Sequence, residues 1–203
     1  MGLAHGWDVD ELMRAPGEVF AGLALPAVDS IPEVDLATGT FDEVDNPDGY
    51  SLGYTQEGWT FKTEPTFEED RVDEEEEAVE SFITQNNTTL SAALRQVQNL
   101  SRLAKLLPGA TYHALTAGIE KVTGGGKKTF DYMTAGFIAE DPHEAGTFWV
   151  IVLYRCLNTA GVELGFGRTK NTLMNVTLAA KAVSGRTAGD RVYAIARVKA
   201  AGP

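Results

Sequence analysis

The sequence predicts a mainly β protein: a β-sandwich or partly closed barrel with one short flanking α-helix. Three observations carry that expectation. Short apolar or alternating segments recur along most of the chain and are separated by Gly, Pro and Asn turn signals. A single stretch, residues 100–107, places its apolar residues at helical spacing. A hydrophobic share of 43% against 23% charged, with Cys156 the only cysteine, fits a packed core without an internal disulfide framework. At 203 residues, with no internal repeat, one domain is expected.

The elements follow in order. Residues 1–16 are weakly patterned; residues 8–14 read as one helical turn or a loose arm before Pro16. Residues 18–25 read as a strand with Val19, Ala21, Leu23 and Leu25 in one phase. Residues 26–49 form a long acidic run punctuated by Pro26, Pro32 and Pro47. Its spaced Ile31, Val34, Leu36, Phe41 and Val44 suggest a loop that docks on another surface, a neighbouring subunit being one candidate, with order only upon assembly preferred over a fully floppy loop. Next, Tyr54, Trp59 and Phe61 lie on either side of Gln56-Glu57-Gly58, read as a short hairpin connection. Asn86-Asn87, between residues 78–84 and 88–96, reads as a second one, and residues 64–77 as an acidic loop joining the two units. Leu100, Leu103, Ala104 and Leu107 share one helical face, with Asn99 as N-cap and Pro108-Gly109 as the stop.

Beyond the helix the chain reads as strand. Residues 112–115 and 119–123 are short candidates, and Gly124-Gly125-Gly126 reads as a hairpin turn into a strand over 127–139. Asp141-Pro142-His143-Glu144 turns the chain into residues 147–156 (TFWVIVLYRC), the most apolar run. Trp149, Ile151 and Leu153 lie in one phase, Phe148, Val150, Val152 and Tyr154 in the other. A strand apolar on both faces is covered on both: one by the domain core, the other by the helix or another subunit. Residues 162–166, 172–183 and 191–199 complete the strands, with turns at 158–161, 167–170 and 184–190.

Charge and motifs narrow the function classes. The net charge of −12 argues against a protein that grips nucleic acid through clustered Lys and Arg. Residues 1–100 hold 22 Asp and Glu against 4 Lys and Arg, while residues 101–203 hold 7 against 13. A negative half and a positive half give copies of one chain a means of mutual attraction, although solubility alone also explains the balance. No G-x-S-x-G elbow occurs, and His5, His113 and His143 lack metal-ligand spacing. The run from Gly124 to Thr129 departs from a phosphate loop: Lys121 stands at its first glycine and Lys128 at its Ser or Thr. Cys156 ends an apolar strand and reads as buried. The carboxylate run over residues 68–77 admits three readings: a solvated loop, a metal site, or an acidic wall or inter-subunit contact. The calcium-loop pattern is missing, because Val44 stands where the first carboxylate would precede Asp48-Gly49. No catalytic, metal or cofactor site is expected. Nothing near Met1 has a signal pattern and no apolar run reaches spanning length, so no membrane partner is expected either.

Residues 51–109 resemble the major tail (tail tube) proteins of long-tailed, non-contractile bacteriophages. The matching residues are Leu52-Gly53-Tyr54-Thr55, Glu57-Gly58, Phe61, Glu64-Pro65-Thr66, Glu68-Glu69 and Asn99-Leu100. The resemblance implies two packed β-sheets with a flanking helix, in subunits that form hexameric rings stacked head-to-tail into a hollow conduit for genome delivery. Leu52, Gly53, Tyr54, Gly58, Trp59, Phe61, Leu100, Leu103 and Trp149 would be motif and core residues. Glu68, Glu69, Asp73, Glu74, Glu75, Glu76, Glu77, Lys127 and Lys128 would face the lumen or a neighbouring subunit. Partners would be further copies of the chain and the tape-measure, tail-tip and tail-terminator proteins. Double-stranded DNA would pass without tight binding through an acidic lumen. The protein would be assembled in the host cytoplasm and reside in the virion tail, and no C-terminal immunoglobulin-like domain is expected. Two alternatives stand beside this: the tube of a related secretion or injection machine, and a β-sandwich binding or decoration module. The second would need an exposed aromatic platform among Trp7, Trp59 and Trp149.

Overall fold

The structure, a computed structural model, describes residues 17–70, 80–94, 99–115, 118–161 and 174–199. In chain order the elements are β1 (Gly17–Ala21), β2 (Val34–Asp35), β3 (Thr40–Phe41), β4 (Tyr50–Asp70), β5 (Glu80–Leu94), α1 (Leu100–Leu106), β6 (Thr111–Ala114), β7 (Glu120–Thr123), β8 (Met133–Glu140), β9 (Thr147–Asn158), β10 (Met174–Ala180) and β11 (Tyr193–Lys199). The protein is mainly β, as the sequence predicts. Seven strands form one antiparallel sheet in the order β10-β5-β4-β1-β8-β9-β11. The sheet curls until β10 meets the end of β9, where Ala180 opposes Cys156, and this partial closure makes the body sandwich-like. The pairs β2–β3 and β6–β7 are separate small hairpins.

Two cores result. The inner one gathers Val19, Leu52, Leu90, Phe137, Ile151, Leu153 and Leu178 inside the curl, with Leu103 and Leu106 of α1 joining it. The helix starts where expected: the Asn99 side chain accepts from the Ser101 and Arg102 backbone N–H groups at 2.9 and 3.3 Å. Leu106 is the more deeply buried residue at its end, with Leu107 packed at the margin.

The outer core lies on the opposite face of β8 and β9 and contains Phe20, Leu23, Phe41, Ile138, Phe148, Val150, Val152 and Tyr154. Both faces of β9 are therefore covered by the chain itself, and the helix lies on the inner side. Residues 26–49 supply the outer cover, because Phe41 is buried and Val34 and Leu36 pack beside it. This differs from the expectation of order only upon assembly: the spaced apolar residues find their partner on the same chain, and Val44 alone of those read from the sequence is left 87% exposed. Arg186, almost fully buried, fastens the arrangement by donating to the Pro26 and Ala27 carbonyls at 2.7 and 3.0 Å and to Asp190 at 2.9 Å. Its guanidinium lies 4.1 Å over the Tyr154 ring.

Several boundaries correct the sequence reading. Gln56-Glu57-Gly58 is not a hairpin connection but a bulge within β4, where the register steps from Thr55 opposite Leu94 to Trp59 opposite Ala92. Gly58 has φ 86°, which the bulge requires and a side chain would resist. Likewise Asn86 and Asn87 continue β5, opposite Pro65 and Glu64. Residues 64–70, read as loop, are strand; residues 71–79 lie outside the described residues. Gly22, at φ 74°, ends β1 early, sends Leu23 to the outer core and leaves Leu25 48% exposed. The stretch 127–132 is not strand, since β8 begins at Met133 where its ladder to β9 begins, so Gly124-Gly125-Gly126 joins no hairpin. The readings of residues 1–16, 162–166 and 167–170 fall outside the described residues.

Candidate functional site

The feature that the body of the fold does not need is a two-stranded ribbon. Beside β4, the ladder to β1 ends at Tyr54; beside β5, the ladder to β10 ends at Thr89. Past those points, among the described residues, the two strands pair only with each other, as far as Asp70 opposite Glu80. Residues 62–69 are exposed along their whole length. Local bonds hold the ribbon: Thr63 Oγ1 donates to Asn86 Oδ1 at 2.7 Å, Thr84 Oγ1 to the Thr66 carbonyl at 3.3 Å, and Lys62 pairs with Glu64 at 2.6 Å. Near its end Phe67 stands opposite Ile83, the two being 59% and 58% exposed. Directly opposed residues share a face, so this is a solvent-facing apolar pair between exposed Glu64, Glu68 and Glu69. Both ribbon edges carry backbone groups without a strand partner among the described residues.

A second open edge belongs to β11, which pairs with β9 alone. It is framed by charge. Arg197 meets Asp141 at 2.9 Å and Glu144 at 2.6 Å, and Lys199 also bonds Glu144. The His143 backbone N–H, together with Arg197 and Trp149, holds the Asp141 carboxyl below its usual range, and Lys199 does the same for Glu144.

The third feature is a cleft of about 630 Å³ between α1 and residues 127–134. Tyr50, Lys105, Leu107, Tyr112, Lys127 and Tyr132 line it. Lys105 Nζ sits 4.3 Å over the Tyr50 ring, and the Tyr50 hydroxyl is buried without a hydrogen-bond partner among the described residues. Burial pushes that phenol well above its ordinary pKa.

These placements sort the sequence-predicted residues. Leu52 and Leu103 are core, Leu100 packs against it, and Trp59 lies on Phe137 with ring centroids 4.1 Å apart. Phe61 meets Tyr193 edge-on at 5.0 Å. Gly53 and Tyr54 hold the ladder to β1 through Val19 and Glu18. Trp149, read as buried, is half-buried at the β9 margin, where its indole N–H donates to Asp141 at 3.2 Å. The motif residues thus form the scaffold beneath the ribbon. Glu68 and Glu69 ride on the ribbon; Asp73, Glu74, Glu75, Glu76 and Glu77 lie outside the described residues. Lys127 lines the cleft and Lys128 is exposed beside it.

Sequence reasoning missed Phe67, Ile83, Tyr50 and Lys105. The signal for the first was present: a phenylalanine inside P-T-F-E-E has no apolar neighbour to pack with. Chemically the surfaces offer binding. Cys156 is buried and its thiol is pushed up to about 12 by burial, so it is a poor nucleophile. Among the described residues no group of three His, Cys, Asp or Glu is placed to hold a metal ion, and no helix is long and apolar enough to cross a membrane.

The chain is antiparallel, mainly β and sandwich-like, and carries an exposed apolar pair, Phe67 and Ile83, on a two-stranded ribbon. Compared with known proteins, it matches no family model and no curated relative.

Proposed function

We propose that the chain is a structural subunit of a self-assembled tube, of the kind built by the phage tail-tube proteins that residues 51–109 resemble. The observation that carries this reading is the β4–β5 ribbon. A strand pair exposed on both faces, without a further strand partner among the described residues and carrying an exposed apolar pair near its described end, contributes little to its own domain. Its features are those of a contact that another molecule completes. The open β11 edge supplies a second surface, suited to lateral pairing of ring neighbours. The inner sheets of such rings would enclose a passage, and a net charge of −12 favours a lumen that repels phosphate and lets duplex DNA slide.

Concentrated pure protein is expected to give rings or hollow filaments in negative-stain microscopy, with a lumen lined mainly by Asp and Glu once such a tube is solved. Uniform monomers would speak against the tube, and a lumen lined by Lys and Arg against its acidic wall. The binding-module alternative has less behind it, since Trp59 packs onto Phe137 and Trp149 bonds Asp141 instead of forming a platform.

A further inference from the structure

We propose that the cleft between α1 and residues 127–134 is a binding site for a small organic monoanion, an aromatic or similarly flat carboxylate. The site lies within a single copy, so it goes beyond the tube reading and stands or falls apart from it.

Charge selects the sign of the ligand. In a chain of net −12, residues 99–134 carry Arg102, Lys105, Lys121, Lys127 and Lys128 against only Glu120 and Asp131. Lys105, Lys127 and Asp131 are the charged groups that line the cleft. Both lysines are exposed, and neither meets a carboxylate among the described residues; the Lys105 amine rests on the Tyr50 ring instead. Two amines less one carboxylate leave the lining with a single positive charge. A monoanion neutralises it, whereas a phosphate dianion would bring surplus negative charge beside Asp131.

Shape selects the body. The cleft volume of about 630 Å³ falls in the range of roughly 300–1,000 Å³ common to small-molecule sites. Tyr112, Tyr132 and Leu107 give it aromatic and aliphatic walls. The chain already holds both tyrosines in place. The Tyr112 hydroxyl donates to Glu120 at 2.9 Å, and the Arg155 guanidinium lies 3.9 Å from the Tyr132 ring centroid. Walls fixed beforehand lose little freedom when a ligand enters. The same contacts disfavour a cationic guest, since the Tyr50 and Tyr132 rings are each taken by a cation of the chain itself.

Calorimetric titration of the full chain, kept dilute enough to sediment as a monomer, tests this with three probes of one shape: naphthoate, neutral naphthamide and naphthylmethylammonium. Naphthoate should bind most tightly. The Lys105→Gln/Lys127→Gln variant should lose about fivefold in naphthoate affinity and bind naphthamide as before. Asp131→Asn should bind naphthoate more tightly than the wild type, which a merely structural role would not produce. Tyr132→Ser should weaken naphthoate and naphthamide alike. All four positions are exposed, so each variant should melt close to wild type. No naphthoate binding at millimolar concentration, equal affinity for the three probes, or an affinity indifferent to both lysines would overturn the site. Tightest binding of the ammonium would overturn the anion assignment and make Asp131 the receiving group. The titration needs no filaments, so its failure leaves the tube reading standing, and absence of tubes leaves the site standing.

Discussion

Gly136 shows how single residues hold the outer core. A Cβ there would lie 2.6 Å from both Leu23 and Phe41, so Gly136→Ala should lift residues 26–49 from the sheet. The expected cost is about 1–3 kcal/mol, read by chemical denaturation, together with faster proteolytic cleavage within 26–49. Unchanged stability and cleavage would mean that the segment does not press on this glycine. Asp190 offers a test by pH. The Tyr154 hydroxyl donates to it at 2.5 Å and, with Arg186, holds its carboxyl below the ordinary 3.8. A depressed carboxylate stabilises the fold above its unfolded pKa and loses that contribution as pH falls through the folded one. The Tyr154→Phe variant should therefore lose stability at neutral pH and show a shallower decline below about pH 4 than the wild type. Parallel urea-midpoint profiles would count against this role for the hydroxyl.

At the scale of elements, what could be read from the chain and what could not divide along a physical line. The helix was legible because its cap, apolar spacing and Pro-Gly stop are all local, and Asn99 does cap it. The doubly apolar β9 was legible because periodicity reports burial on each face. Its outer cover was not, since Phe41 joins the outer core and packs edge-on against Phe20 through a tertiary contact that no local pattern encodes. Gln56-Glu57-Gly58 and Asn86-Asn87 have turn chemistry, yet β4 and β5 run through them because an antiparallel partner satisfies their backbone and a bulge absorbs the extra residues. The ribbon was hidden for the same reason: a carboxylate-rich stretch looks like loop until its partner strand is found. Replacing residues 64–87 by an Asn-Gly turn, which keeps Thr63 opposite Thr88, should leave the thermal midpoint of the monomer close to wild type, because residues 64–69 and 83–87 are all exposed. The same truncation should abolish assembly. A variant that unfolds, or one that still polymerises, would show that the ribbon has another task.

As a whole molecule the protein is nearly self-sufficient: both faces of its central strands are covered from within, by α1 on one side and residues 26–49 on the other. What it leaves open among the described residues is peripheral: the ribbon with exposed Phe67 and Ile83, the β11 edge and the cleft beside α1. On the tube reading, the ribbon and the β11 edge are completed by further copies of the same chain. Sedimentation of the purified protein over a wide concentration range, with electron microscopy of the fast fraction, addresses it directly. Growth into rings or open-ended hollow filaments is the expected result; a single monomeric species at every concentration, with no particles to image, would contradict it.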